Sequence, residues 1–390
     1  MADGTKLFII DTLRRISLAL LGGFLVMYFL QLGSDTIYPI AAMYLIMWIV
    51  AVLVFYVTRN LVNRGNKLVP IRISTILLLA IYVFVIFTRH HIIDFFWVIG
   101  ILRGLEVGFY HTSFNQMKST IISNKSRLWF LSIGQIRTGI IDIFLPILFG
   151  FMLLRLEYHY VAIVMAFICA ISFLFSLCLK DKSPKLGKTN IPLFMKTFSE
   201  NKKIKKVMWV AFFSGLTYNA SAFTLMITIY TALVLGSTFH FGMAAALYSV
   251  LGMVASLLVA KFGKENNFKT LSWSAVLIIL STFFFMVFNT DIYTVIIFAC
   301  INAFFIVFAS AFVSKNIYDY SNLDCVKDKH KTEYFFIIEV FRCLGRVLGL
   351  VLLILTAVFS STLFLQISMV LIGLMFIPLV FINNRLGMSA

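Results

Sequence analysis

The sequence predicts an all-α polytopic membrane protein: twelve transmembrane helices in two pseudo-symmetric six-helix bundles. Hydrophobic residues make up 61% of the 390, and mean hydropathy is +0.98, far above a soluble protein of this length. Twelve apolar stretches follow one another, each near the 20 or so residues a helix needs to cross the hydrocarbon core. Almost every Lys and Arg falls in alternate gaps between them, as the positive-inside rule requires of one membrane face.

The first span, 16–33, follows Arg14 and Arg15 and ends in Gln31-Leu32-Gly33-Ser34-Asp35. No small-x-small cleavage pattern is present, so this run reads as a retained span and not as a signal peptide. The second, 36–57, leads into Arg59, Arg64, Lys67 and Arg72, and the third, 72–88, is followed by Arg89, His90, His91 and Asp94. The fourth, 93–116, carries Arg103 and Glu106 and is followed by Lys118, Lys125 and Arg127; the fifth, 128–153, carries Arg137 and Asp142 and precedes Arg155. The sixth, 159–179, opens onto the longest polar segment, Lys180 to Lys206, where Pro184, Gly187 and Pro192 break any continuous helix. Phe194, Phe198 and Ile204 suit a short helix lying on the membrane surface there. The remaining spans are 207–234, 241–262, 270–288, 292–314, 334–357 and 362–382, with Lys261, Lys264, Lys269, Lys315, Lys327, Lys329, Lys331 and Arg385 in alternate gaps. Trp97, Trp129, Trp209 and Trp273 sit near span ends, as an aromatic belt does. The expected organisation is an N-terminal bundle over 1–180, a cytoplasmic linker over 181–206 and a C-terminal bundle over 207–390, with both termini cytoplasmic.

The net charge of +17 is spread over loops at one face and not gathered on a soluble module, which points to anionic inner-leaflet lipid and away from nucleic acid. The five cysteines have no CxxC spacing, and His90, His91 and Asp94 lack a fuller ligand set, so no metal and no cofactor are expected. No Gly-rich P-loop occurs.

Weak internal repeats appear at an offset of about 200 residues, the pattern of a duplicated transporter half. Asn63-Arg64-Gly65-Asn66-Lys67 follows the second span and Ala260-Lys261-Phe262-Gly263-Lys264 the eighth, each a basic turn with a glycine between cations. Arg137 with Gly139 in the fifth span corresponds to Arg342 with Gly345 in the eleventh. On these features the chain resembles the major facilitator superfamily over essentially its whole length. The family pattern G-x-x-x-D-R/K-x-G-R-K is met at Lys261, Gly263 and Lys264, while Ser256 and Ala260 replace its Gly and Asp; Arg103 and Glu106 are similar to the Arg and Gln of the family's R-x-x-Q-G-x-G segment. The resemblance implies alternating access between two bundles, and a gating role for the loops bearing Arg64, Gly65, Lys67, Lys261, Gly263 and Lys264.

Seven ionisable side chains lie inside spans: Arg103, Glu106, Arg137, Asp142, Glu339, Arg342 and Arg346. A charge at the bilayer centre costs about 2.5–3.5 kcal/mol on insertion scales, so such residues face a bundle interior or a watered cavity and pair with one another. Arg103 with Glu106, and Glu339 with Arg342, are spaced i, i+3 on one helix face. Four Arg against three carboxylates favour an anionic or zwitterionic ligand. Glu106 and Asp142 are the expected proton carriers, and Pro146, which cannot bond the Asp142 carbonyl, predicts a bend beside that acid. Tyr28, Gln31, His111, Asn115, Tyr218 and Asn219 are the expected polar lining of the cavity.

The expected function is therefore a monomeric secondary transporter, not an enzyme. It would move a small or amphiphilic organic substrate across a bacterial cytoplasmic membrane, coupled to protons, with export the favoured direction. A lipid or glycolipid flippase on the same scaffold and a non-transporting sensor or partner subunit are the alternatives.

Overall fold

In the computed structural model, the described residues are 3–33, 36–63, 65–66, 68–121, 124–179, 200–218, 220–262, 268–287, 291–321, 326, 331–358 and 362–387. They are helical almost throughout, because in an apolar medium only a helix satisfies every backbone N–H and C=O within its own segment. The helices are α1 (Asp3–Ala19), α2 (Leu25–Leu32), α3 (Ile37–Asn63), α4 (Leu68–Thr88), α5 (Phe96–Ile121), α6 (Asn124–Arg155), α7 (Tyr158–Leu177) and α8 (Lys202–Thr217). There follow α9 (Ala222–Leu235), α10 (Thr238–Phe262), α11 (Phe268–Val287), α12 (Ile292–Tyr320), α13 (Lys331–Val358), α14 (Thr362–Leu374) and α15 (Phe376–Gly387).

Each expected span coincides with one helix or with a helix interrupted once. A π turn at Leu20–Phe24 joins α1 to α2, Tyr218 to Ser221 separate α8 from α9, and Met375 separates α14 from α15. Nine stretches of the described residues are long and apolar enough to cross a membrane, one of them, Leu68–His111, with 44 residues covering two expected spans. Large apolar side chains remain exposed along them, among them Leu53, Phe87, Phe144, Phe167 and Leu257, as a lipid-facing surface requires.

The chain divides into two compact units. The first comprises Met1–Lys188 with Gly236–Ala246, and the second Thr189–Leu235 with Leu247–Ala390.

In the first unit α5 has two working faces. Gly100, Gly104 and Gly108 recur every four residues and lie against α3, where a Cβ on Gly104 would stand 2.6 Å from the Met47 carbonyl oxygen and 2.7 Å from the Val50 Cβ. Only glycine admits this approach, the small-xxx-small packing of membrane helices. Arg103, Glu106 and Tyr110 project from a different side, because three and four residues advance one helical turn. The π turn in the first span is held from both sides: the Tyr82 hydroxyl donates to the Ser17 carbonyl and the Tyr158 hydroxyl to the Leu20 carbonyl at 2.9 Å. Gly65 ends α3 at φ 93°, with its N–H donating to the Val62 carbonyl at 3.0 Å.

In the second unit α8 packs on α13 through Gly215 and Gly345, and aromatic rings fill the space between α9, α11 and α12, where Phe285 stacks on Phe298 at 4.7 Å.

Candidate functional site

The charged centre of the first unit is organised by one turn of α1. Asp11, Arg14 and Arg15 are spaced i, i+3, i+4, so one turn presents one acid and two bases to its neighbours. Arg14 Nε donates to Glu106 Oε1 at 2.6 Å, and Arg103 Nη1 donates to the other oxygen, Oε2, at 2.7 Å. Glu106 is thus clamped between guanidiniums from two helices, and its side chain is fully buried. Asp11 takes Arg137 Nη2 at 2.5 Å on one oxygen and the Tyr110 hydroxyl at 2.6 Å on the other. The Tyr110 ring also lies beneath the Arg14 guanidinium, 3.7 Å from its centroid, so one residue of α5 touches both ion pairs. Arg137 Nη1 reaches Thr12 Oγ1 at 3.0 Å and the Phe8 carbonyl at 3.3 Å. Arg15 grips both oxygens of Asp142, with Nε to Oδ1 at 3.2 Å.

Each of these groups has an oppositely charged partner, which is what permits them inside membrane-spanning helices. Four guanidiniums (Arg14, Arg15, Arg103, Arg137) meet three carboxylates (Asp11, Glu106, Asp142), and the surplus cation lies at doubly paired Glu106. Exposure separates the pairs. Arg15 and Asp142 are 44% and 34% exposed, whereas the other members stand at 21% or less.

The sequence reading begins the first span at Ile16 and counts Arg14 and Arg15 among loop charges. The structure corrects this, because α1 starts at Asp3 and carries Asp11, Arg14 and Arg15 into the helix bundle. A hydropathy window excludes such a turn because it weighs each charge as if in lipid, while ion pairs to α5 and α6 offset the cost. The legible signal was the i, i+3, i+4 spacing immediately before an apolar run. Tyr110 was missed outright; the only mark it leaves in the sequence is its place one turn beyond Glu106.

In the second unit Arg342 Nη1 bonds Glu339 Oε1 at 2.5 Å, and Arg346 Nη1 lies 3.7 Å from Glu339 Oε2 and 3.4 Å from Cys343 Sγ. The close crossing at Gly215, whose Cβ would collide with the Arg342 backbone, fixes the height of this turn.

The expected lining residues are dispersed. Tyr28 stacks on Tyr158 at 4.5 Å with an 8° interplanar angle, Gln31 is exposed at the end of α2, and His111 is exposed on α5 beside the Tyr110 ring. Tyr218 is buried in the break after α8 and stacks on Phe376 at 6.4 Å. Of the expected gating residues, Gly65 forms the turn after α3 and Lys261 is exposed in the last turn of α10. The Asn115 side chain, Asn219, Arg64, Lys67, Gly263 and Lys264 lie outside the described residues. α6 runs continuously through Pro146 from Asn124 to Arg155. Among the described residues no three His, Cys, Asp or Glu side chains are grouped to hold a metal ion.

An all-α chain with ionisable side chains paired inside its spans has the build of a membrane transporter, not of an enzyme. The sequence profile of the Major Facilitator Superfamily matches residues 7–350, and the chain belongs to that superfamily. YqgE, an uncharacterised protein of Bacillus subtilis (strain 168), is 22% identical over 329 residues, which cover 82% of this chain and 75% of YqgE. Among solved structures, the human organic anion transporter MFSD10 (TETRAN) superposes with a TM-score of 0.67 at 12% identity, covering 97% of this chain and 98% of the other. The nucleoside transporter NupG superposes with a TM-score of 0.64 at 16% identity over 99% of both chains, and a variant of it with 0.70 at 14% identity over 98% and 99%. At these identities the likeness is one of fold.

Proposed function

We propose that this protein is a proton-coupled secondary transporter for a small or amphiphilic organic anion or zwitterion, working by alternating access in a bacterial cytoplasmic membrane. The observation that carries the reading is the charge balance of the first unit: two arginines share Glu106, so the cluster of four guanidiniums and three carboxylates keeps one net positive charge, which favours an anionic guest. The organic anion and nucleoside transporters that share the fold support an organic substrate, and the Bacillus relative supports a bacterial membrane. Asp142 is the better proton carrier of the two acids expected from sequence, since water reaches it and one arginine holds it, whereas Glu106 is sealed between two. We assign a monomer with cytoplasmic termini, lipid-facing apolar helices, and export as the working direction.

The test is dye-reported collapse of a proton gradient in everted vesicles upon adding anionic, zwitterionic and cationic amphiphiles. A response confined to anions or zwitterions and lost in Asp142→Asn supports the reading. A response to cations alone, or one unchanged in Asp142→Asn, refutes it.

A further inference from the structure

Arg14 and Arg15 are adjacent in sequence and opposite in circumstance. Arg14 is fixed by the Glu106 bond and by the Tyr110 ring, and its side chain is 9% exposed. Arg15 holds Asp142 alone and is the most exposed guanidinium of the network. A half-exposed arginine within a membrane-spanning helix is turned to water and not to lipid, because the charge cannot be left in hydrocarbon. The exposed guanidinium of Arg15 is therefore the member of the network that an anion arriving from water meets first.

Resting on the anion reading above, we infer that Arg15 is the residue that binds the substrate's anionic group, a carboxylate or a phosphate, and that it does so by exchanging Asp142 for it. The planar fork of the guanidinium already makes a two-point contact with the carboxylate of Asp142, and a guest carboxylate or phosphate offers two oxygens at matching spacing. Arg14 cannot serve in its place, since leaving Glu106 would strip a fully buried carboxylate of one of its two partners. Tyr110 is the positioning residue: its ring holds Arg14 and its hydroxyl holds Asp11, which fixes the α1 turn from which Arg15 projects. Asp142 is then an internal competitor for Arg15, so the two neighbouring substitutions shift affinity in opposite directions. Removing Arg15 weakens anion binding, and neutralising Asp142 strengthens it.

The experiment measures binding of benzoate, phenyl phosphate and neutral benzamide to the full-length protein in detergent by titration calorimetry. The wild type is expected to prefer at least one anion over benzamide, the two anions reporting whether carboxylate or phosphate is favoured. Arg15→Gln is expected to weaken anion binding tenfold or more with benzamide unchanged, Arg15→Lys to recover part of the loss, and Asp142→Asn to tighten anion binding threefold or more. If Arg15→Gln keeps the wild-type preference, or Asp142→Asn weakens anion binding, the assignment of Arg15 is wrong while the anion reading stands. A wild type that does not distinguish the anions from benzamide overturns both.

Discussion

Removing the acid at the centre of the clamp should damage the protein far more than removing one of its bases. Glu106 is fully buried, and its oxygens are taken separately by Arg14 and Arg103. In Glu106→Gln two nearly buried guanidiniums lose their shared counter-charge, and the new amide turns an N–H donor toward one of them. Leaving one partner of a buried ion pair uncompensated costs about 3–5 kcal/mol. In Arg103→Gln the carboxylate keeps Arg14 and the surplus charge disappears, so the loss is that of one charge-assisted hydrogen bond, at the low end of about 1.5–3 kcal/mol. The double substitution should then be less unstable than Glu106→Gln alone, because the second change removes one stranded cation. Equilibrium unfolding in mixed micelles, followed by tryptophan fluorescence, measures all three. Equal losses for the two single variants, or a double variant weaker than Glu106→Gln, would refute the clamp.

Other expectations follow from backbone contacts and from one titrating cap. Gly104→Ala should destabilise by about 1–3 kcal/mol, since its Cβ would meet the Met47 carbonyl at 2.6 Å, whereas Gly252→Ala, with its nearest neighbour at 3.8 Å, should stabilise α10 by about 0.5–1 kcal/mol; micelle unfolding compares them. Ala220 is exposed and has φ 49° in the break between α8 and α9, so Ala220→Val should cost about 1–3 kcal/mol in that assay while Ala220→Gly is tolerated. Outside the spans, hydrogen bonds from Thr294 hold the Asp291 carboxyl below its ordinary 3.8, its oxygen accepting the Thr294 N–H at 2.7 Å at the start of α12. A depressed acid stabilises the folded chain above its unfolded value and loses that contribution as pH falls through the folded one. The melting midpoint should therefore drop less between pH 5 and 3 in Asp291→Asn than in the wild type, and equal drops would contradict the capping role.

The all-helical, membrane-spanning build was legible because runs of about 20 apolar residues recur along the chain, and helices cover them in the described residues. The helix ends were less so. In the run 207–234 the polar Asn219 and Ser221 hint at the break after Tyr218, and Ser221 Oγ accepts the Thr224 N–H at 3.4 Å at the start of α9, but a hydropathy window averages such residues away. Within the charged centre, Arg103 with Glu106 and Glu339 with Arg342 could be read because both partners lie one turn apart on a single helix. Arg14 reaches Glu106 from 92 positions away and Arg15 reaches Asp142 from 127, separations that no periodicity encodes. The division between a sealed acid and an accessible one is likewise invisible in sequence, since it depends on burial and on partners from α1, which the apolar runs around Glu106 and Asp142 do not reveal.

Purified protein in liposomes, with an imposed pH gradient and a radiolabelled organic anion, tests the central claim most directly. The account predicts anion movement that depends on the gradient, exceeds that of protein-free liposomes and is uncoupled from protons in Asp142→Asn. Flux equal to protein-free liposomes for every organic anion tried, or flux indifferent to the gradient, would contradict it.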